Sequence, residues 1–507
     1  MITASTSVFG GLILAFIFSL LYKNKKTRIP AEIDRVRTGG FLAHIRAFGC
    51  RLGTRVDDIR NGYNKFNKNG KPFVIQDSTF IPQVVIPPQY LGWLKEQPEK
   101  ALSAETVRLE QLGLRYLVPS SDPEMVHLLT DVVCRYLTRN FQRVQERLYE
   151  ELHMSTDEIM GLEATEWRQI CLHEAMETIL RRMISCVLIG LPWCRDEECL
   201  KSWTGFLHCM AIAGTILGAV TPWFLRPLLG LLLKPPVGYM RRRSLRYLTP
   251  IFTERWKKIE KHEKSSLTTR ELPDDFVTWC IQEVRNGAAE VTMLDLLSAD
   301  PTIGYWEKLV EEATTAFRTD EDWIHAGTVS KLAYTDSAIR ESLRRNPFSI
   351  RNVTREVIGK DGLTLPSGTR LPQGTWITTA LANIHHDARF YSNPTEYQPF
   401  RFVARDAFHT EGKEGSEKVL QPSEAILTST IDERLLTFGY GRRACPGRWF
   451  ASHILKMLIA YITINYDIQP LTGPPKKVKF ADFTVPSPSI KIIVRRKNLA
   501  YLRQRER

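Results

Sequence analysis

The sequence lacks closely paired cysteines. Its nine cysteines are an odd number, scattered over 507 residues without a C-x-x-C spacing. Neither a disulfide framework nor a zinc site is therefore indicated. We expect ordinary reduced thiols at all but one of these positions: Cys50, Cys134, Cys171, Cys186, Cys194, Cys199, Cys209 and Cys280.

The chain also lacks a Gly/Ser-rich linker, an internal repeat or a low-complexity tract after residue 50. Length alone would suggest about three domains, but no change in composition marks a boundary there. Hydrophobic residues make up 43% of the chain and aromatic residues 10%, which is ample for a sizeable core.

Acidic residues are outnumbered, 56 against 69 Lys and Arg, for a net charge of +13. No nucleic-acid motif or basic patch interleaved with aromatics accompanies this charge, so we exclude a nucleic-acid partner. Basic residues are favourable near an anionic membrane leaflet, which explains part of the excess. The basic run from Arg495 to Arg507 is predicted to be a solvated tail.

The N-terminal apolar run has no basic residue before it. Val8 to Tyr22 carries no charge, Thr3 to Tyr22 reaches the length that a bilayer needs, and four cations follow within Lys23 to Arg28. No signal-peptide cleavage pattern is present. We therefore predict an anchor with basic flank at residues 1–29 and a neck at 30–59. This is a single-pass arrangement in the endoplasmic reticulum membrane, with the body from residue 60 to 507 in the cytosol.

A second apolar run extends from Met210 to Leu233. Its length is typical of a membrane span, but Pro222 and Pro227 interrupt the pattern and Arg226 near the middle would be costly in lipid. We favour a roof that dips into the membrane surface over a second transmembrane helix.

The most informative stretch is Phe438-Gly439-Tyr440-Gly441-Arg442-Arg443-Ala444-Cys445-Pro446-Gly447. It places one cysteine in a glycine-bracketed loop before an apolar helix predicted from Trp449 to about Ile464. Gly441 and Gly447 permit a tight turn and close approach to a flat ligand. The helix N-terminus and two arginines favour a thiolate, which is a ligand for soft or borderline metals such as haem iron.

Two upstream motifs accompany this loop. Glu341-Ser342-Leu343-Arg344 is an E-x-x-R on a helix predicted from about Tyr334 to Asn346, where Glu341 and Arg344 share a face and can pair. Read alone, E-x-x-R is usually a solvated surface pair. The second motif is Tyr397-Gln398-Pro399-Phe400-Arg401-Phe402, preceded by His385-His386-Asp387.

The order of these three motifs resembles the cytochrome P-450 superfamily, and Cys-Pro-Gly-Arg followed by Trp-Phe-Ala is similar to its fungal branch. The resemblance covers roughly residues 60 to 495. It implies a mostly α cytochrome P-450 fold with a small β-rich lobe. Cys445 would be the axial ligand of haem b, Phe438 would pack near the sulfur, and Arg443 would pair with a propionate. Arg401 would dock on the Glu341–Arg344 pair.

The resemblance also implies a function. It indicates a haem-dependent monooxygenase that receives electrons from an NADPH-cytochrome reductase, whose acidic surface the basic excess would attract. The substrate would be a lipophilic secondary metabolite, with a terpenoid, such as a diterpene, ahead of a polyketide or fatty acid.

The central helix of that family, which carries an oxygen-relay threonine, has little room here. Ala288 to Ser298 makes about 16 Å of helix, whereas a helix that crosses such a domain needs about 45 Å. Roughly twenty residues are therefore missing. Thr292 is the candidate for the relay, although Val291 stands where a polar partner is wanted, and the alternative is an incidental threonine near a helix start.

Two explanations of the short helix stay open. Either the sequence reflects a misjudged splice boundary, or the deletion is genuine and the oxygen pocket is damaged. The second explanation motivates an alternative function: a haem-thiolate protein that does not activate dioxygen, such as an isomerase, a peroxide-user or an inactive relic.

Overall fold

The computed structural model describes residues 29–36, 54–76, 79, 81–118, 141–263, 288–403, 426–473, 475–480 and 482–498. Several expectations lie outside this part of the chain. They are the membrane anchor except its last residue, the helix expected before Ala288, and the cysteines Cys50, Cys134 and Cys280.

Most of the regular structure is helical. In chain order the α-helices are α1 (Thr54–Lys65), α2 (Leu91–Glu96), α3 (Glu105–Gln111), α4 (Leu114–Leu117), α5 (Phe141–Met160), α6 (Leu172–Leu188), α7 (Glu197–Thr215), α8 (Arg226–Glu263), α9 (Ala288–Leu297), α10 (Tyr305–Ala316), α11 (Asp320–Ile324), α12 (Ala333–Arg345), α13 (Leu381–His385) and α14 (Arg448–Asn465). Short 3-10 turns include Trp193–Arg195 and Gly441–Arg443, and a π-helical turn covers Ile216–Val220.

The strands are short. They are β1 (Asp34–Arg35), β2 (Phe73–Ile75), β3 (Gln83–Ile86), β4 (Leu102–Ser103), β5 (Arg168–Cys171), β6 (Asn352–Val357), β7 (Leu363–Thr364), β8 (Arg370–Leu371), β9 (Trp376–Thr379), β10 (Tyr466–Ile468), β11 (Lys477–Phe480), β12 (Phe483–Pro486) and β13 (Lys491–Arg496). The largest sheet has the order β1-β2-β3-β9-β6-β4, the next is β10-β13-β5, and β7-β8 and β11-β12 are separate hairpins. The expected mostly α fold with a small β-rich lobe is confirmed.

Two helices that follow the motifs were predicted to within about one residue at each end. The E-x-x-R motif lies on α12, and the Cys445 loop leads into α14. Almost every side chain of α14 is buried, as expected for a helix that is apolar on all sides. Both helices contribute to one large helical core, so the motifs stand on rigid supports.

A second core lies in the sheet lobe, where strands β2, β3, β6 and β9 meet. The cysteine loop connects the two cores. Phe438 packs in the helical core, whereas Tyr440, two residues later, packs in the sheet core. The start of the loop is therefore held in both cores, and Cys445 packs against the helical core.

The apolar run from Met210 to Leu233 does not form one continuous helix. Helix α7 and its π-helical turn end at Val220, a turn follows, and α8 begins at Arg226. Among the described residues, the stretch Glu197–Val220 is long and apolar enough to cross a membrane by length and composition, and 44% of its apolar window is buried inside the protein.

Arg226 is buried at this turn and is satisfied inside the protein. Its guanidinium bonds a carboxylate oxygen of Glu110 at 2.9 Å and the carbonyl oxygens of Gly218 at 3.1 Å and Thr221 at 3.3 Å. These bonds anchor the start of α8 on the π-helical turn. On α8, Leu228, Leu231 and Leu232 are more than half exposed, so an apolar surface faces outward.

The interruption expected at Pro222 is present, whereas helix α8 contains later prolines that do not end it. It continues through Pro235 and Pro236 and again through Pro250. Pro227 stands in the first turn, where a missing amide proton costs nothing. The chain therefore breaks at the turn that contains Pro222.

The boundary predicted at residue 60 falls inside α1, and Ile29 and Ile33 are buried in the sheet core. Strand β1 also pairs in parallel with β2. The described part of the neck is thus packed on the catalytic body.

The prediction of a solvated C-terminal tail is wrong for its first residues. Arg495 pairs with Asp467 at 3.0 Å, and Arg496 pairs with the buried Asp157. Lys497 donates to the carbonyl oxygen of Thr463 at 2.7 Å. These cations hold β13 in the sheet, and residues 499–507 lie outside the described part.

Candidate functional site

The cysteine loop is closed by one backbone hydrogen bond. The amide of Cys445 donates to the carbonyl oxygen of Phe438 at 2.8 Å. Gly439 and Gly441 have φ values of 78° and 72°, a left-handed conformation that strains other residues. A side chain at Gly441 would also meet the side chain of Lys95 at 3.3 Å. Tight closure therefore depends on these two glycines.

Gly447 does not form the tight turn that the sequence predicted for it. Its φ of −85° is open to any residue, so no turn requires glycine there. It directly precedes α14, which begins at Arg448, and Cys445 is half-buried just before this helix. The positive end of the helix dipole thus lies close to the sulfur and favours its thiolate form.

Arg448 is a loop-holding residue that the sequence analysis missed. Its guanidinium donates to the carbonyl oxygens of Cys445 at 2.8 Å and Ser429 at 3.0 Å, and it stacks on the ring of Trp449 at 3.3 Å. The sequence did contain an indication of this role, because a cation stands at the first residue of a helix, where acidic residues are preferred.

Arg443, the predicted propionate partner, pairs with Glu99 at 2.6 Å. It lies in a group of three guanidiniums with Arg355 and Arg108. Burial lowers the pKa of Arg355 to about 10, and the cations of Arg108 and Arg443 add to this effect. Arg355 donates to the carbonyl oxygens of Thr354 at 3.0 Å and Tyr440 at 3.5 Å. An anion beside this group would relieve the repulsion.

Sequence reasoning did not find Arg355. A signal existed, because residues at every second position of a strand share a face. Val357 of β6 is buried, and Arg355 lies two residues before it, on the regular side of the register shift between Asn352 and Arg355. An arginine on the same strand face as a buried valine indicates a cation that points into the protein.

The structure brings Glu341, Arg344 and Arg401 together. Glu341 and Arg344 are fully buried and joined by two hydrogen bonds of 2.8 Å. Arg401 donates to the same carboxylate at 3.1 Å, and the amide of Gln398 donates to it at 3.2 Å. A buried carboxylate with this many donors is compensated, whereas removing it would leave two buried cations.

This cluster is connected to the cysteine loop through His385. Arg344 donates to the backbone carbonyl of His385 at 2.6 Å, and the amide of Leu436 donates to the imidazole Nε2 at 2.9 Å. Burial holds the pKa of His385 well below its usual value. The ring is therefore neutral, and its Nε2 accepts the hydrogen bond from the amide of Leu436, two residues before the loop begins.

Thr292 lies on α9, outside the loop and the buried cluster. It is fully buried, and its hydroxyl donates to the carbonyl oxygen of Ala288 in its own helix at 2.7 Å. Asp295 of the same helix pairs with Arg345 at 3.0 Å and accepts from Asn346 at 2.7 Å, which ties α9 to α12. The described part of α9 starts at Ala288. The residues before it lie outside the described part of the chain, so the predicted shortness of the central helix stays a prediction.

The residues present fit haem on the chemistry of the donor set. One sulfur lies in a loop at a helix start. Three guanidiniums lie beside that loop, and they outnumber the carboxylates that pair with them. A soft axial donor and an anion-binding group are the two features that a haem with carboxylate side arms needs. The candidate residues are Cys445 for the iron, and Arg355, Arg443 and Arg108 for the carboxylates.

Comparison with known proteins gives consistent matches. The family model described as Cytochrome P450 matches residues 287–494. The cytochrome P450 monooxygenase polB of Polytolypa hystricis is 35% identical, covering 87% of this chain and 88% of the relative. The cytochrome P450 monooxygenase lnaC of Aspergillus flavus is 33% identical, covering 92% and 93%.

A third relative bears on the chain's length. The cytochrome P450 monooxygenase gloO of Glarea lozoyensis is 26% identical, covering 98% of each chain. That alignment runs over 532 residues, which exceeds the 507 of this chain. The relative therefore has positions without a counterpart here.

Proposed function

This chain belongs to the cytochrome P450 family of haem-dependent monooxygenases, and from that premise we propose that it oxidises a lipophilic secondary metabolite, preferably a terpenoid, at the endoplasmic reticulum membrane. Haem with a thiolate ligand supplies the oxygen-activating chemistry. The chain's own residues bind and orient this cofactor. The observation that carries the proposal is the closed Cys445 loop, with its neighbouring guanidiniums.

Each residue of the loop has a defined task in this proposal. Cys445 would supply the sulfur ligand of the haem iron, and Arg448 holds the carbonyl oxygen of Cys445, which fixes the loop. Arg355 and Arg443 would bind the carboxylates of the cofactor. Phe438, buried in the helical core, excludes water from the sulfur side. Exclusion of water strengthens every electrostatic contact within the site.

The membrane assignment rests on two features. One is the uncharged N-terminal run before Lys23, and the other is the exposed apolar surface of Leu228, Leu231 and Leu232. An apolar roof close to the bilayer suits a substrate that partitions into lipid. The electron donor would be an NADPH-cytochrome reductase, which the exposed Arg442 beside the haem loop would help to attract.

The test is expression of the full chain in microsomes together with a reductase, NADPH and a panel of terpene hydrocarbons. We expect an NADPH-dependent oxygenated product from at least one terpene. Polyketides and fatty acids form the comparison panel. Product from those alone would contradict the terpenoid preference, and no product from any lipophile would contradict the monooxygenase proposal.

The alternative of a haem-thiolate protein that does not activate dioxygen is not favoured, since the relatives matched over most of the chain are named monooxygenases. The two readings differ in one measurement. Both retain thiolate-ligated haem, whereas only the monooxygenase consumes oxygen when NADPH is supplied. Sequencing the transcript across codons 285 to 300 tests the splice explanation, because an in-frame insertion there would restore a full central helix.

A further inference from the structure

Three sulfur and oxygen donors meet inside the helical core, away from the cysteine loop in sequence. They are the thiols of Cys186 and Cys194 and a carboxylate oxygen of Glu151, and all three atoms lie within 4.8 Å of one another. Each residue is at most 2% exposed. They come from three elements: α5, the last turn of α6, and the short turn Trp193–Arg195.

The donor set is that of a zinc-class cation. Zinc is bound tetrahedrally by thiolates at about 2.3 Å and by carboxylates at about 2.0–2.2 Å, which places the donor atoms about 3.5 Å apart. The observed upper limit of 4.8 Å is compatible with this spacing after small side-chain rotations. The Cys186 thiol donates to the carbonyl oxygen of Arg147 at 3.8 Å, and three protein ligands leave the fourth position of a tetrahedral zinc for a water molecule.

The surroundings of Glu151 match those of a metal ligand. Ser155 donates to its Oε1 at 2.5 Å, and Arg195 donates to its Oε2 at 3.0 Å. Hydrogen bonds of this kind orient ligating carboxylates. Two thiolates and one carboxylate around a divalent cation carry one net negative charge, which the Arg195 guanidinium neutralises.

A bound cation would also favour the release of the two thiol protons. The Cys194 thiol donates to Oε2 of Glu151 at 3.8 Å, so the sulfur lies directly against the buried carboxylate. Ionisation without a cation would place negative charge beside a buried carboxylate. Cation binding removes that cost, with the two thiol protons released to solvent.

We propose that Cys186, Cys194 and Glu151 form a structural zinc-binding site that joins α5, the end of α6 and the turn Trp193–Arg195. No sequence motif indicated this site, because the two cysteines are too far apart for a C-x-x-C motif and the carboxylate is on another helix. The site lies in a different part of the chain from the haem-binding residues.

The test uses the full chain with haem bound and any affinity tag removed. The protein is expressed with zinc, dialysed against metal-free buffer, and its zinc and iron are measured by mass spectrometry. We expect about one zinc per chain. Cys186→Ser and Cys194→Ser should reduce zinc to background, and Glu151→Gln should weaken zinc retention at least about tenfold. Cys199→Ser is the matched control, because Cys199 is equally buried but outside the cluster.

Correct folding of each variant is checked by the thiolate-type Soret band of the carbon-monoxide complex, which depends on haem and not on zinc. Background zinc in the unmodified protein would overturn the proposal. Undiminished zinc in both serine variants would overturn it equally. The protein is also purified under conditions that prevent oxidation, and its mass is compared with that of the fully reduced chain. A mass lower by two units would overturn the proposal, because it would identify a Cys186–Cys194 disulfide in place of the metal. If a serine variant loses the Soret band, Glu151→Gln and cadmium–thiolate absorption of the unmodified protein decide the question.

Discussion

The imidazole of His385 accepts a hydrogen bond from the backbone amide of Leu436, at 2.9 Å. Because Arg344 donates to the carbonyl oxygen of the same histidine at 2.6 Å, His385 contacts both the buried Glu341 cluster and the segment that leads into the cysteine loop. The E-x-x-R motif thus supports the loop through His385 and does more than stabilise its own helix.

His385→Leu should therefore weaken the cysteine loop. The variant leaves the Leu436 amide without its acceptor, at a cost of about 1–3 kcal/mol. We expect a smaller thiolate-type Soret band per protein in the carbon-monoxide complex. His386→Leu is the control, because His386 bonds the Ala382 carbonyl of its own helix. Equal loss of the band in both variants would contradict the connection.

Arg355→Leu should accelerate haem loss. The change removes one guanidinium from the group that we assign to the haem carboxylates. A charge-assisted hydrogen bond is worth about 1.5–3 kcal/mol, so haem affinity should fall about tenfold to a hundredfold. Haem transfer to an excess of a scavenging globin measures this. Arg370→Leu, an exposed arginine that bonds Asp361, should leave the rate unchanged, and an unchanged rate in Arg355→Leu would refute the assignment.

His453 should make the fold less stable in acid. Burial and the nearby Lys456 lower the pKa of His453 to about 3. The unfolded chain binds this proton near pH 6.5, so the stability contribution is complete above pH 6.5 and is lost as pH falls toward 3. The slope is up to about 1.4 kcal/mol per pH unit.

His453→Gln tests that contribution, because glutamine does not titrate. Urea midpoints measured at pH 7 and pH 5 should differ less for the variant than for the unmodified protein. The matched control is His325→Gln, because His325 is exposed. Identical pH dependence of His453→Gln and the unmodified protein would exclude the effect.

The sequence predicted the helices that support the site better than the side-chain contacts within it. Helices α12 and α14 were found within about one residue, since apolar periodicity and the glycine-bracketed loop mark their ends. The burial of Arg226 could not be read in the same way, because its Glu110 partner is far away in sequence. The local sequence pattern predicts helices and turns, whereas ion pairs between segments that are distant in sequence depend on the tertiary structure.

The same limit applies to Arg355, Arg448 and the Cys186–Cys194 pair. Each acquires its role from a neighbour that only the tertiary structure supplies. Glu341 is the exception. The family resemblance implied that Arg401 docks on the Glu341–Arg344 pair, and both arginines lie within hydrogen-bond distance of the Glu341 carboxylate.

The exposed roof should bind membranes after the N-terminal run is removed. A protein lacking residues 1–28 should still partition onto lipid vesicles through Leu228, Leu231 and Leu232. Replacing all three with glutamine should reduce this partitioning at least about tenfold, since burying one leucine is worth about 1.5–3 kcal/mol. Vesicle flotation measures the bound fraction.

The control for the roof is replacement of Leu162 and Ile303 with glutamine. Both are more than half exposed and lie outside α8. These changes should leave the bound fraction unaltered. A similar decrease in both proteins would indicate general surface hydrophobicity and would contradict a specific roof.

The central claim is that the Cys445 thiolate ligates the haem iron, and the carbon-monoxide difference spectrum of Cys445→Ser tests it most directly. Serine is a harder and far less acidic donor that cannot replace the thiolate. We predict complete loss of the thiolate-type Soret band, with the band intact in Cys199→Ser and Cys209→Ser. Persistence of the band in Cys445→Ser, together with its loss in another cysteine variant, would contradict the assignment.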